Sequence, residues 1–285
     1  MPRGASLPFF IFGGRTDSPF GKWLYRRREI DAIISHRFFI VNISTAIFDC
    51  SAPDLAACPD ESLPEFAFIG RSNVGKSSLL NTLAGVERLA RVSPTPGFTK
   101  LINFFTMGKT WRLVDLPGYG YAEGSRKHVS QFNRAVANYL KHRPNLCCVF
   151  LLIDSGLEPQ PIDLEFVQWL ASHALPFVIV FTKTDRGTPE AVAANIAAFK
   201  ERIAGWFEQL PEIFQCSSAT GHGRTELLGV IGKIVDAGPA VSEPAPAPAP
   251  LPPEIEPPFR MEVRAGNARE KDPLAKKKLK GARPW

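Results

Sequence analysis

The feature that most constrains this chain is a glycine-rich stretch between an apolar run and a helical pattern. The run EFAFIG ends at Gly70, and GRSNVGKSS follows it to Ser78. The spacing G-x-x-x-x-G-K-S after a strand and before a helix is typical of a phosphate-binding loop. Gly70 and Gly75 would let the backbone turn around phosphates without a Cβ clash. An isolated glycine turn with an exposed lysine has the same spacing, so other motifs must decide.

Each part of this loop has a predicted role. The backbone N–H groups of residues 73–77 would point at phosphate oxygens, assisted by the N-terminus of the following helix. Lys76 would bring a charge to the β- and γ-phosphates, and the Ser77 hydroxyl would ligate Mg²⁺. The predicted nucleotide contacts here are Gly70, Arg71, Ser72, Asn73, Val74, Gly75, Lys76 and Ser77.

Between residues 41 and 236, short apolar runs alternate with helical patterns. This alternation predicts an α/β fold whose mostly parallel six-stranded sheet carries helices on both faces. The predicted strands are Phe66–Ile69, Leu101–Phe105, Trp111–Val114, Cys148–Ile153, Phe177–Phe181 and Ile213–Cys216. The predicted helices are Lys76–Ala84, Val129–Lys141, Asp163–His173, Pro189–Gln209 and Thr225–Val235.

The motif DLPG closes a predicted strand about 40 residues after the loop. Asp115 at the end of a neighbouring strand would hold Mg²⁺ through water, as in P-loop nucleotide hydrolases. The Gly118 N–H would meet the γ-phosphate and sense its loss, and Leu116 and Pro117 would line the same site. Alone, the pattern also fits a strand-ending turn.

The motif TKTD, formed by Thr182, Lys183, Thr184 and Asp185, follows the apolar run FVIVF. The Asp185 carboxylate would accept two hydrogen bonds from the N1–H and the exocyclic amine of guanine. Adenine lacks this donor pair and would leave the carboxylate unpaired, so the motif predicts guanine selectivity. After the last predicted strand, backbone N–H groups of Cys216, Ser217 and Ser218 would contact the guanine O6.

The segment SPTPGFTKLINFF lies between the phosphate-binding loop and DLPG. It is the predicted switch I loop, in which Thr99 or Thr95 would ligate Mg²⁺ only when the γ-phosphate is present, and the family resemblance given below favours Thr99. The predicted nucleotide contacts of this segment are Gly97, Phe98, Thr99, Lys100 and Leu101. We assign the predicted catalytic roles to Lys76, Thr99 and Gly118.

The charge of this 285-residue chain is divided unevenly, although the net value is +6. Residues 1–40 carry seven basic and three acidic residues, residues 259–285 carry nine and three, and residues 41–258 carry 18 and 22. A polyanionic partner would therefore meet the ends first. The predicted domains are an irregular basic extension (1–40), the G domain (41–238), a Pro/Ala-rich linker (239–258) and a basic disordered tail (259–285).

Composition excludes several classes of protein. With 45% hydrophobic residues the chain is not mainly disordered, and no apolar run approaches the roughly 18 residues of a membrane span. The five cysteines form no CxxC pair, and the histidines lack zinc-site spacing. These patterns indicate reduced thiols and a cytoplasmic protein. The first 40 residues fit an organellar transit peptide, a dispensable extension, or upstream sequence translated from a wrongly assigned start.

With these elements in place, the chain resembles the EngB-type ribosome-biogenesis GTP-binding proteins, within the TrmE-Era-EngA-EngB-Septin-like GTPase class. The resemblance covers about residues 41–236 and depends on EFAFIGRSNVGKSSLLN, ARVSPTPGFTKLINFF, RLVDLPGYGYA, LLIDSGLEPQPIDLEFVQWL, TKTD and CSSATGHG. It implies a P-loop NTPase G domain in a cytoplasmic GTPase that binds GTP and GDP, uses Mg²⁺ and hydrolyses GTP slowly. A self-contained G domain is expected to be a monomer. The implied partners are the large ribosomal subunit precursor and its rRNA. The resemblance also implies a link to cell division.

Two residues bear on the rate of hydrolysis. Tyr119 follows DLPG where many GTPases have glutamine, and its ring cannot orient water as an amide does, which predicts slow turnover with a catalytic group supplied by a partner. Asn73 would help to bind K⁺, or would only tolerate the loop geometry. The alternatives are a GTP-binding interaction module with negligible hydrolysis that contacts RNA through its basic tail, a P-loop kinase or ATPase, and a tail-driven RNA-binding protein.

Overall fold

A computed structural model of the chain describes residues 45–87, 89–90, 101–119 and 126–237, and these build one seven-stranded sheet. The strands are β1 (Ala46–Ala52), β2 (Glu65–Gly70), β3 (Ile102–Met107), β4 (Trp111–Asp115), β5 (Leu146–Asp154), β6 (Phe177–Thr182) and β7 (Ile213–Gln215). The helices are α1 (Lys76–Ala84), α2 (Arg126–His142), α3 (Pro161–Ser172), α4 (Pro189–Ala204) and α5 (Arg224–Ala237). The spatial order of the strands is β1-β3-β4-β2-β5-β6-β7.

The sheet is mostly parallel, as predicted. Strand β2 pairs in parallel with β4 and β5, and β6 pairs in parallel with β5 and β7. Only β3 breaks this pattern, with antiparallel pairing to both β1 and β4. The predicted fold class, an α/β P-loop fold with a mostly parallel sheet, is confirmed.

Helices cover both faces of the sheet because successive strand residues point to opposite sides. On β2, Ala67 and Ile69 join the apolar cluster that includes buried residues of α2, α3 and α4. Phe66 and Phe68 join the opposite cluster, which includes buried residues of α1 and α5. All six residues of β2 are buried, so this strand forms the centre of the molecule.

The predicted number of six strands is wrong, because β1 forms an additional edge strand. Its sequence AIFDCSA lacks a regular alternation, and most of its residues are exposed or partly exposed. A shift in register lies between Phe48 and Cys50, which further disturbs the two-residue period. Ile47 and Phe48 are more than half exposed. Pairing with β3 holds β1 in place, and the sequence of β1 gives no sign of this pairing.

Helix boundaries agree with prediction at α1 and differ elsewhere. Helix α1 covers Lys76–Ala84 as predicted, whereas the predicted helix Pro189–Gln209 ends at Ala204. Gly205 is the C-cap of that helix, and Trp206 and Phe207 beyond it pack against the core. The other helices differ from prediction by one to three residues at their ends.

Within the described ranges, no helix is both long and apolar enough to cross a bilayer. The predicted basic extension 1–40, the linker 239–258 and the tail 259–285 lie outside the described residues.

The amino end of β2 carries a buried polar cluster. The Glu65 carboxylate, 0% exposed, accepts a hydrogen bond from the Tyr139 hydroxyl at 2.8 Å and two from Arg143 at 2.9 and 2.7 Å. The Arg112 Nη1 lies 3.7 Å from the same carboxylate. Burial, with the neighbouring Glu65 charge, raises the pKa of Tyr139. We call Glu65, Arg112, Tyr139 and Arg143 the amino-end cluster.

Candidate nucleotide-binding site

The predicted motifs converge at the carboxyl ends of the parallel strands, where α/β sheets bind ligands. The glycine-rich loop, DLPG and TKTD begin at the last residues of β2, β4 and β6, and CSS follows β7. Since β4, β2, β5, β6 and β7 are consecutive and parallel, their carboxyl ends form one edge of the sheet. The fold therefore brings together motifs separated by as many as 146 positions, from Gly70 to Cys216.

The glycine-rich loop has the backbone expected of a phosphate-binding loop. Asn73 and Gly75 have φ values of 64° and 98°, in the left-handed region. Gly75 precedes the first residue of α1, so the loop leads into the helix N-terminus. The Val74 N–H donates to the Arg71 carbonyl at 3.2 Å, which closes the turn. This arrangement turns backbone N–H groups toward a shared concavity.

Lys76 and Asp115 form a buried ion pair, with the Lys76 Nζ donating to the Asp115 carboxylate. Lys76 is 8% exposed and Asp115 is 3% exposed. The cation predicted to meet the phosphates and the carboxylate predicted to hold Mg²⁺ are therefore in direct contact. The pairing satisfies two buried charges that would otherwise be costly.

The oxygen donors at this point fit Mg²⁺. The Asp115 carboxylate and the Ser77 hydroxyl are the hard oxygen ligands that Mg²⁺ prefers, and one carboxylate with bound water is its usual protein contribution. Among the described residues, no group of three or more His, Cys, Asp or Glu side chains could hold a metal ion. A site with one carboxylate and hydroxyl groups would not form such a cluster.

The main chain after DLPG pairs with the glycine-rich loop. The Tyr119 N–H donates to the Gly70 carbonyl at 3.1 Å, and the Ser72 N–H donates to the Tyr119 carbonyl at 3.1 Å. A Cβ at Gly118 would lie 2.9 Å from the Gly70 oxygen and 3.2 Å from the Ser72 nitrogen. Glycine is therefore required at position 118 by close backbone approach. Leu116 also joins this edge, since its N–H donates to the Phe68 carbonyl at 3.0 Å.

TKTD is attached to the glycine-rich loop by two side chains. The Thr182 hydroxyl donates to the Val74 carbonyl at 2.6 Å. Lys183, which has a left-handed φ of 60°, donates from Nζ to the Asn73 carbonyl at 2.7 Å and to Asp154 at 2.6 Å. The base-reading and phosphate-binding motifs therefore form one connected unit. Sequence reasoning missed Asp154, although a carboxylate ending a parallel strand was the available signal.

Asp185 and Ser217 connect TKTD with the segment after β7. A hydrogen bond with the Ser217 side chain is the main cause that lowers the pKa of Asp185. Asp185 is exposed, whereas Ser217 is 2% exposed, so the carboxylate is ionised and positioned by a fixed neighbour. The Thr184 N–H also donates to the Cys216 carbonyl at 3.3 Å. Ser218 follows Ser217 on the same segment.

The predicted switch I contacts are mostly outside the described residues. Gly97, Phe98, Thr99 and Lys100 lie there, together with the competing Thr95. Leu101, which immediately precedes β3, is described and is 40% exposed.

Tyr119 faces α3 with its side chain. The ring is 3% exposed and stacks on Phe166 with centroids 4.7 Å apart, and the hydroxyl donates to Asp163 at 2.9 Å. The other Asp163 oxygen lies 3.2 Å from the Arg71 Nε. Burial raises the pKa of Asp163 to about 6 and raises the pKa of Tyr119. We call Arg71, Tyr119 and Asp163 the carboxyl-end cluster.

Sequence reasoning missed Asp163 as a residue of this region. An acidic residue in the first turn of a helix is favoured by the helix dipole, which is a sufficient local reason for its presence. The only further signal was the surrounding apolar pattern, which predicts that position 163 faces the core.

Comparison with known proteins identifies relatives of this chain. A family model described as "50S ribosome-binding GTPase" matches residues 65–183. A probable GTP-binding protein EngB of Christiangramia forsetii is 47% identical over 192 residues, covering 67% of this chain and 96% of that protein. A probable EngB of Bacteroides fragilis is 46% identical over 194 residues, covering 68% and 96%.

A crystal structure of a probable GTP-binding protein EngB is also similar, with a TM-score of 0.49 and 23% identity over 61% of this chain and 99% of that one. The motif geometry and the near-complete coverage of relatives at 46–47% identity lead to one conclusion. The chain belongs to the EngB family of GTP-binding proteins and is a GTPase.

Proposed function

We propose that this GTPase is a molecular switch that binds GTP and GDP, hydrolyses GTP slowly with Mg²⁺, and assists assembly of the large ribosomal subunit. The observation that carries the nucleotide part is the connected unit of TKTD and the glycine-rich loop. Lys183 bonds to the Asn73 carbonyl at 2.7 Å, so the predicted base-reading motif and the predicted phosphate loop have a fixed separation. A nucleoside diphosphate would contact the base-reading motif and the phosphate loop at the same time.

Guanine recognition is proposed to depend on Asp185. Its exposed carboxylate is ionised and lies against Ser217, so both oxygens can accept from a purine edge that offers two donors. At the phosphate end, Lys76 would exchange the Asp115 carboxylate for β- and γ-phosphate oxygens. That exchange would release Asp115 toward the metal site, because the same carboxylate oxygen now accepts from Lys76.

Three groups would hold the metal: Ser77, Thr99 and, through water, Asp115. When bound there, Mg²⁺ would neutralise part of the phosphate charge. The roles of this chain's own residues are then to position and to stabilise. Lys76 and the Gly118 N–H would stabilise charge that develops on the γ-phosphate oxygens.

Slow hydrolysis is supported by the position of Tyr119. Its ring is buried against Phe166 and its hydroxyl bonds to Asp163, so it does not supply a water-orienting group. A partner would then complete the catalytic arrangement. K⁺ bound with the help of Asn73 is one such contribution, and turnover in K⁺ that exceeds turnover in Na⁺ at equal ionic strength tests it. Equal rates would reject the K⁺ role.

The ribosomal part of the proposal has two supports. The matching family model carries the description of a 50S ribosome-binding GTPase. The nine basic and three acidic residues of positions 259–285 suit phosphate contact with rRNA, which would weaken as salt rises. A cytoplasmic, monomeric protein is proposed on the same family likeness, with a link to cell division as a downstream consequence.

A second candidate is an interaction module that binds GTP with negligible hydrolysis and contacts RNA through its tail. The buried Tyr119 side chain favours it, because no glutamine-like group follows DLPG. A single-turnover assay separates the two. Hydrolysis stimulated by large-subunit particles supports the switch, and none above the buffer rate supports the module.

The first test is nucleotide titration with GDP, ADP and xanthosine diphosphate on wild type and Asp185→Asn. We expect the wild type to prefer GDP and the variant to shift toward the xanthine nucleotide by at least tenfold, because the amide presents a donor where guanine also donates. Glu190→Gln, an exposed acid on α4, is the matched control. A wild type without guanine preference would overturn the proposal.

The second test is co-sedimentation with large ribosomal subunits, with a GTP analogue or with GDP, for the full chain and for a chain ending at Gly238. Nucleotide-dependent association that survives truncation would identify the G domain as the contact surface. The association that truncation removes is the part that depends on the tail. If moderate salt abolishes this part and leaves the rest, the tail contacts rRNA phosphates. No association of either chain would reject the ribosomal part.

A further inference from the structure

The contact between the DLPG segment and the glycine-rich loop is a short piece of backbone pairing outside the main strands. Arg71 and Tyr119 form an isolated parallel bridge, with hydrogen bonds on both sides of it. Gly118 is wedged against this bridge, because a single added carbon would lie 2.9 Å from the Gly70 oxygen. The position of the Gly118 N–H relative to the phosphate loop therefore follows the position of Tyr119.

Tyr119 is held from its other side by α3. The ring stacks on Phe166 at an interplanar angle of 16°, and the hydroxyl donates to Asp163 at 2.9 Å. The ring is stabilised by apolar burial and the hydroxyl by a directional hydrogen bond, so the side chain has one favoured conformation. Helix α3 belongs to none of the nucleotide motifs, yet it fixes the residue that follows DLPG.

The same carboxylate also reaches the phosphate loop. The Arg71 Nε lies 3.2 Å from the Asp163 Oδ2, and neither atom has a hydrogen-bond partner among the described residues. Asp163 is 1% exposed. A carboxylate in this position is costly unless it is paired, and its two oxygens divide between two different segments of the site.

Because both segments are thus joined, we propose that Asp163 is a positioning residue of the nucleotide site that sets the Gly118 N–H against the phosphate loop and so determines how strongly the protein distinguishes GTP from GDP. Asp163 acts through Tyr119 and Arg71 and does not touch nucleotide. The inference depends on the proposed role of Gly118 at the γ-phosphate.

The test is the ratio of GTP-analogue affinity to GDP affinity in wild type, Asp163→Ala, Asp163→Asn and Tyr119→Phe. We expect the ratio to fall about fivefold to tenfold in Asp163→Ala and about threefold in Tyr119→Phe, with little change in GDP affinity. Asp163→Asn keeps an oxygen that accepts from Tyr119, so it should retain more of the ratio than alanine. Single-turnover hydrolysis should fall in the same order.

The matched control is Tyr139→Phe, which removes a hydroxyl from a buried carboxylate at the opposite end of β2. It should lower stability without changing the affinity ratio. Ratios within twofold of wild type in both Tyr119→Phe and Asp163→Asn would overturn the inference, and so would an equal loss in Tyr139→Phe. If Asp163→Ala does not fold, these two variants still decide. Failure of the wild type to bind guanine nucleotides would instead overturn the proposed function and the inference with it.

Discussion

Each end of β2 has a cluster that combines a buried carboxylate, a tyrosine and at least one arginine, and the two clusters are arranged differently. At the amino end, Glu65 accepts from Tyr139 and Arg143. At the carboxyl end, Asp163 accepts from Tyr119 and faces Arg71. Both carboxylates are almost completely buried, and burial is the main cause that raises the pKa of both tyrosines.

The difference lies in what each cluster connects and how completely it is paired. The amino-end cluster has three hydrogen bonds of 2.7–2.9 Å to one carboxylate, which belongs to the central strand, and a second arginine nearby. The carboxyl-end cluster joins two loops to a helix with one hydrogen bond and one ion pair at 3.2 Å. A completely paired cluster stabilises the sheet, whereas a cluster between loops governs their relative position.

The largest expected effect comes from breaking the amino-end cluster with Glu65→Ala. Arg143 would lose both hydrogen bonds to its buried carboxylate partner and keep only the exposed Glu61 carboxylate at 3.6 Å, whereas Arg112 would still pair with Asp49 and Asp60. Removing one member of a buried ion pair costs about 3–5 kcal/mol. Urea unfolding should show this loss in the free energy of unfolding. The affinity of the remaining folded protein for GDP should not change. A loss below about 1 kcal/mol would show that water, backbone carbonyls and the remaining carboxylates Asp49, Asp60 and Glu61 satisfy the arginines equally well.

The second largest effect is on activity at the other end, through Lys76→Ala. Removing a charge that stabilises the transferred phosphoryl group should lower GTP turnover by about 10²–10³-fold. Asp115 would also lose its buried partner, so stability should fall as well. The rate of phosphate release from GTP measures the loss of turnover. Lys233→Ala on α5 is the control for removing a lysine. Turnover within tenfold of wild type would contradict the phosphate role.

The matched tyrosine variants compare the clusters directly. Tyr119→Phe and Tyr139→Phe each remove one hydrogen bond to a buried carboxylate, and each should lower the free energy of unfolding by about 1–2 kcal/mol. Chemical denaturation under identical conditions measures both. Similar stability losses would show that the two hydroxyl groups are energetically equivalent, so that only nucleotide measurements distinguish the clusters. A stabilised Tyr139→Phe would contradict the assigned hydrogen bond.

A pH dependence of stability is expected of the carboxyl-end cluster alone. Desolvation raises the pKa of Asp163 from 3.8 to about 6, with Arg71 and the Tyr119 hydroxyl opposing this shift and Asp154 adding to it. The folded state then binds the proton more tightly than the unfolded state, so this contribution to stability is present at low pH and is lost as pH rises toward 6.

Unfolding of wild type and Asp163→Asn between pH 4 and 7 measures this effect. The stability of the wild type relative to the variant should decrease from pH 4 to about 6 and then level off. A difference that stays constant across this range would show that Arg71 keeps the Asp163 carboxylate ionised in the folded state.

Local patterns predicted where the glycine-rich loop lies because its motif couples a fixed spacing to a fixed backbone requirement. Gly75 needs a left-handed φ, and the position before α1 can be identified from G-x-x-x-x-G-K-S alone. Alternation of apolar runs and helical patterns predicted the parallel sheet, and the nucleotide roles of Asp115 and Asp185 at its carboxyl edge stay predictions. The switch I residues around Thr99 stay a prediction.

Local patterns failed where the deciding partner is distant in the chain. Strand β1 forms because β3 offers a free edge, and its own sequence is irregular and half exposed. Asp154 has a role only because Lys183, 29 residues later, reaches it with a left-handed backbone. Neither contact leaves a periodic signal in the sequence around it.

The sequence by itself determined the class of fold, the order of the motifs and the chemistry that each motif can perform, because spacing and residue type are local properties. Only the tertiary structure decided that Lys76 pairs with Asp115, and that Tyr119 points to α3. It also decided that Asp163 and Glu65 lie at opposite ends of one strand, each with a tyrosine and an arginine of its own. These outcomes depend on which side chains burial brings together, and burial is a property of the whole packed chain.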